Sequence, residues 1–129
     1  MTDAKPQFNS VDEARGELME RGVSSGTVGD LFDAAKDAVP ELLCEYGVED
    51  EVDTSEVTRW LQIGFAESCV QFIDEGVWDS AQDGVERIVE DMWENPISNA
   101  TMISGGMWRR SEDMVTLSGA MLASNHANR

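Results

Sequence analysis

Residues 54–73 read TSEVTRWLQIGFAESCVQFI, the longest run in the chain with one clear helical period. Val57, Trp60, Leu61, Phe65, Cys69, Phe72 and Ile73 recur at three- and four-residue steps, while Thr58, Arg59, Gln62, Glu67 and Gln71 fall largely on the other side. At 3.6 residues per turn this spacing gathers the apolar side chains into one stripe that needs a cover. Gly64 and Ser68 lie one turn apart beside the stripe and form a notch where another backbone can approach closely. The run predicts the central post of an all-α domain. Whether the notch receives a helix of the same chain or of another subunit stays open at this level.

Towards the N-terminus, Glu49, Asp50, Glu51 and Asp53 form an acidic loop. Before it, Val28, Leu31, Phe32, Ala35, Ala38 and Val39 make a buried stripe on a helix with a cap at Thr27. Pro40 predicts a break or bend, with a further short helix through Tyr46 that Gly47 closes. Ser10 and Glu13 have the spacing of a capping box, which opens a helix bearing Val11, Ala14, Leu18 and Met19 and stopping at Gly22. Residues 1–9 are polar and read as a mobile arm.

Towards the C-terminus, Asp74-Glu75-Gly76 makes a turn, and Val77 and Trp78 tuck back onto the core. Ala81, Val85, Ile88, Val89, Met92 and Trp93 mark another amphipathic helix, which Gly84 interrupts and Asn95-Pro96 ends. From Ile97 the periodicity weakens, and Ala100 to Trp108, with Gly105-Gly106, reads as a small hairpin, a hinge or an irregular loop. Ser111 caps a last helix with Met114, Val115, Leu117, Met121 and Leu122, and residues 125–129 form a frayed tail. The expected fold is a bundle of four or five helices with an irregular C-terminal region.

The 129 residues carry a formal charge of −17, from 26 acidic residues against nine basic ones. Such a surface repels phosphates, which argues against direct binding of DNA or RNA. It fits a solvated acidic shell, adaptation to high salt, or mimicry of nucleic acid. There is no apolar run long enough to cross a membrane and no signal-peptide pattern at Met1 to Pro6, so the expected setting is cytoplasmic. Cys44 and Cys69 both sit in apolar helical patterns and read as buried free thiols.

No catalytic constellation is visible, and an enzyme is not expected. His126 is the one histidine, which removes most zinc sites and the usual serine or cysteine pairs with histidine. Asp79, Asp83, Gly84 and Glu90 match four places of a calcium loop, but Ala81 and Arg87 stand where oxygen ligands belong, and the stretch fits a helix better. No metal or cofactor is predicted.

The charge is unevenly placed. Residues 1–96 hold 24 acidic and six basic residues, and residues 97–129 hold two acidic and three basic ones. Four of the seven methionines also lie in that last third. The chain thus divides into the arm 1–9, an acidic helical body 10–96 and a neutral, methionine-rich segment 97–129 suited to docking. Tryptophan and arginine anchor protein interfaces and methionine repacks readily against partners. The candidate contacts are therefore Met102, Ile103, Met107, Trp108, Arg109, Arg110, Met114 and Met121. Trp60 and Trp93, on buried stripes, are assigned to the core.

The order of elements resembles that of the head–tail adaptor (connector) proteins of tailed viruses. The capped helix from Ser10 to Arg21, the alanine-containing helix from Val28 to Val39 and the later helices correspond in architecture. The resemblance implies a virion ring component, cytoplasmic before assembly, that meets portal-like proteins or neighbouring subunits through its C-terminal segment. The acidity departs from the pattern and points to a virus of a salt-loving host, and no inter-subunit strand is evident at Gly105-Gly106. The competing reading is an inhibitor that mimics nucleic acid, with the carboxylates of residues 41–56 and 74–94 facing a basic groove.

Overall fold

The computed structural model describes residues 6–127, with side chains through Ser124. Six helices follow one another: α1 Val11–Glu20, α2 Ser25–Tyr46, α3 Thr54–Asp74, α4 Ala81–Glu94, α5 Pro96–Gly106 and α6 Glu112–Ala127. No strand occurs among the described residues, and the protein is an all-α bundle. The central post at α3 has a companion, because α2 and α3 each pack against every other helix.

The helix starts follow from local hydrogen bonding. Ser10 Oγ accepts the Glu13 N–H, while the Glu13 carboxylate accepts from Asn9 N–H, one residue before the position a reciprocal box would use. Ser24, not Thr27, caps α2: its hydroxyl accepts the Thr27 N–H, so the helix begins a turn earlier than expected. Thr27 is instead buried and hydrogen-bonded to Gln82 of α4. Gly22 and Gly47 end α1 and α2 with positive φ, and the N–H groups of Val23 and Val48 close back onto Leu18 and Leu43 carbonyls.

Pro40 does not break α2. It lies on the exposed side of the helix, and buried Val39, Leu42 and Leu43 hold both flanks to the core. The Gly64 notch receives α5 of the same chain. A Cβ at Gly64 would lie 2.6 Å from Ile103 Cγ2 and 3.1 Å from Met107 Cγ. Gly84 has a similar cause, since the Trp78 ring lies where its Cβ would project. Trp78 in turn meets Phe72 edge to face, with centroids 5.4 Å apart.

Several side chains depart from their expected places. Residues 96–106 form α5, with neither hairpin nor irregular loop: Pro96 opens the helix at a position that needs no N–H, and Ala100, Ser104 and Met107 face the core. Trp93 is exposed, because Val89 and Met92 take the buried side of α4. Val77, Met19 and Cys44 are exposed as well, and Glu67 is buried. Ala81–Glu90 is helical, the first part of α4, with Asp79 and the cap Ser80 just before it, so no loop exists there to wrap a calcium ion.

Part of the expected arm is tied down. Phe8 is in the core, and residues 1–5 lie outside the described residues. The frayed tail falls partly outside them too; the α6 backbone is helical to Ala127.

Candidate docking face at the C-terminal helices

The last turn of α5, the connection 107–111 and α6 divide their side chains between two directions. Met114, Leu117 and Met121 recur at helical spacing and are buried in the core. Val115 and Leu122, with Gly119 between them, form a second stripe on the outer side of α6. A helix that is apolar on two sides has one more face than its own fold covers. Thr101 and Gly105 on α5, with Trp108 just after the helix, line up in the same manner. Between the two stripes runs an apolar groove of about 600 Å³.

The eight sequence candidates therefore separate. Met107 and Met114 are buried and belong to the core, and Met121, buried as well, also lines the groove. Met107 lies against Gly64, and Ile103 packs partly buried in the same notch. Arg110 turns inward: it pairs with Glu67, donates to the Phe8 carbonyl at 3.1 Å, and lies over the Trp60 ring at 5.3 Å. Arg109 remains exposed and stacks on Trp108, 4.6 Å from the ring centre. Met102 is 68% exposed and Trp108 43% exposed. Sequence reasoning missed Val115, Gly119 and Leu122 as a unit, because it merged both α6 stripes into one. The seven-residue interval between Val115 and Leu122, flanking a small residue, is the signal that separates them.

The lining of the groove holds no charged side chain. Of the charged residues 109–113, Arg110 pairs inward with Glu67, which leaves Arg109 with Glu112 and Asp113. The carboxylates of the end of α2, the following loop and α4 are exposed. Among the described residues no three His, Cys, Asp or Glu side chains converge as a metal site. No described helix is long and apolar enough to cross a membrane. A second cleft of about 280 Å³ lies between α3 and α5, bordered by Phe72, Ile88 and Met102. No known family model, curated protein or solved structure matches this chain. The face itself carries the functional reading.

Proposed function

We propose that this protein is a non-enzymatic structural or assembly component that docks on a protein partner through the α5–α6 face. The observation that carries this reading is the unpartnered apolar groove between Thr101, Gly105 and Trp108 on one side and Val115, Gly119 and Leu122 on the other. Trp108 with its stacked Arg109 is of the side-chain chemistry that dominates interface energetics. The groove lining holds no charged side chain, so an apolar contact seated in it has no charge to desolvate there. The likeness in element order to head–tail adaptors makes a virion ring component the preferred setting, with portal-like proteins or ring neighbours as partners.

Removing residues 97–129 is not a clean test, because the segment supplies Met107, Met114 and Leu117 to the core. Point changes on the outer stripe are. The tagged chain is recovered from its source with its associated proteins, alongside a Trp108→Ala, Leu122→Glu variant whose helical content is checked by circular dichroism. Loss of the associated proteins from a folded variant is expected. Retention by that variant overturns the reading. So does association with a nucleic-acid enzyme that salt disrupts and the variant keeps, which would make the carboxylates the active surface.

A further inference from the structure

We infer that residues 6–9 form a latch that holds the α5–α6 connection in place and, through Trp108, keeps the docking groove formed. Its effect on partner binding rests on the docking reading; its effect on the connection does not. The segment lies in neither helix nor strand. Gln7 and Asn9 are exposed, and Phe8 between them is only 6% exposed. The Phe8 N–H donates to Glu67 at 2.7 Å, and its carbonyl accepts from Arg110 at 3.1 Å. Beside this contact, Pro6 and Glu67 border the α3–α5 cleft. One aromatic side chain and two charge-assisted hydrogen bonds are thus set against the ordering of a short stretch of backbone. A contact of that kind opens locally, without unfolding the bundle.

The connection on the other side of the contact has few ties of its own. Gly105 and Gly106 end α5, and glycine holds helix geometry least well of all residues but proline. Of residues 107–110, Met107 turns inward against Gly64 and Arg110 turns inward against Glu67. Trp108 and Arg109, exposed between these two anchors, go where the anchors take them, and Trp108 lines the groove. With Phe8 seated, the Arg110 and Glu67 side chains are 17% and 12% exposed. Release of Phe8 takes a hydrogen-bond partner from each and lets water in, which turns a part-buried pair into a surface pair of little strength. Met107 and the contact of Arg110 with the Trp60 ring are then what hold the connection.

Native-state hydrogen exchange on the full chain tests the latch at the Met107 and Arg110 amides, which donate to the Ser104 and Met107 carbonyls. Phe8→Ala is expected to speed both about tenfold or more beyond the change at the buried α2 amides. Leu31→Ala, a core change within α2, is expected to move Met107 and Arg110 no more than it moves α2. Phe8→Leu, which keeps an apolar anchor and folds more readily, should show the Phe8→Ala pattern at smaller size. Unchanged exchange at Met107 and Arg110 in both Phe8 variants overturns the latch. An equal rise in Leu31→Ala overturns it too, because the effect is then global. Capture of associated proteins should fall in Phe8→Ala as in the Trp108→Ala, Leu122→Glu variant. Full capture by a chain with a loosened connection overturns the link to the groove. If the unaltered chain captures no protein and Phe8→Ala still speeds exchange as expected, the docking reading fails and the latch on the connection stands.

Discussion

Arg110 and Glu67 form a half-buried ion pair that joins the α5–α6 connection to α3, and the pair also closes on the N-terminal segment. Glu67 accepts the Phe8 N–H at 2.7 Å while Arg110 donates to the Phe8 carbonyl, so both backbone groups of one residue are satisfied by one ion pair. Arg110 also lies over Trp60, whose indole N–H donates to Glu56, and Arg59 lies over the same ring at 4.4 Å. Three distant stretches of chain are fixed relative to one another by this cluster. The candidate docking face follows directly on this cluster in the chain, since Trp108 and Arg109 precede Arg110.

Arg110→Ala leaves the Glu67 carboxylate partly desolvated with one backbone donor. We expect a loss of about 2–4 kcal/mol of stability, within the range for breaking a buried pair. Glu67→Gln, which keeps an acceptor for Phe8, costs less. In a double-mutant cycle by denaturant unfolding, Arg110→Met with Glu67→Leu should lose less than the two single changes summed. Additive losses would show that the two side chains do not act as a unit.

Glycine substitutions separate packing from propensity. Gly29 lies inside α2 with open space where a Cβ would go, so Gly29→Ala is expected to stabilise by about 0.5–1 kcal/mol. Gly64→Ala places a methyl group against Ile103 and Met107 and forces α5 outward, for an expected loss of about 1–3 kcal/mol. Adding Ile103→Ala should recover part of the loss caused by overpacking. Equal unfolding midpoints for the Gly29 and Gly64 variants would contradict the α3–α5 contact.

The all-α class was legible because the strongest run, residues 54–73, has an unambiguous period, and Ser10, Gly22, Gly47 and Ser111 carry local chemistry that sets helix ends. What the sequence left unread depends on long-range neighbours. Residues 97–106 lack periodicity because α5 is covered from α2, α3 and α4, and a helix packed on several sides has no single stripe. Arg110 looked like an interface residue until Glu67, 43 positions away, was seen beside it. Glu67 looked solvated for the converse reason. Cys44 and Trp93 follow buried neighbours by one position, and one helical step of 100° turns each outward. The methionine-rich composition marked the segment that contains the groove but not the outer stripe of Val115, Gly119 and Leu122, and of the methionines there only Met121 lines the groove.

Acid stability should report the link between α1 and α3. Arg21 bonds Asp74 at 2.8 and 3.0 Å and Glu17 at 2.7 Å. The Arg21 hydrogen bonds hold the Asp74 carboxyl below its ordinary value, and the two carboxylates hold the guanidinium above its own. Because the folded-state value of Asp74 is lowered, its contribution is present above the unfolded value near 3.9 and is lost as pH falls through the folded one. The pair is largely exposed, so Arg21→Ala should cost only about 0.2–1 kcal/mol at neutral pH. An NMR titration should show the Asp74 carboxyl returning upward in that variant. An unchanged titration would mean that the ion pair does not persist in solution.

The two cysteines should differ by their surroundings. Cys69 is buried on α3, and burial pushes its thiol up to about 12, so at neutral pH it is both covered and protonated. Cys44 is exposed because Leu42 and Leu43 take the buried side of α2. Native protein treated with a thiol reagent at pH 7 should therefore modify one equivalent quickly, and the second only when the core opens. Cys44→Ser should abolish the fast phase, and denaturant should restore one full equivalent from Cys69. Fast labelling of both thiols in the native chain would show that α3 is not sealed at Cys69, one turn from the Phe65 side chain on the same buried stripe.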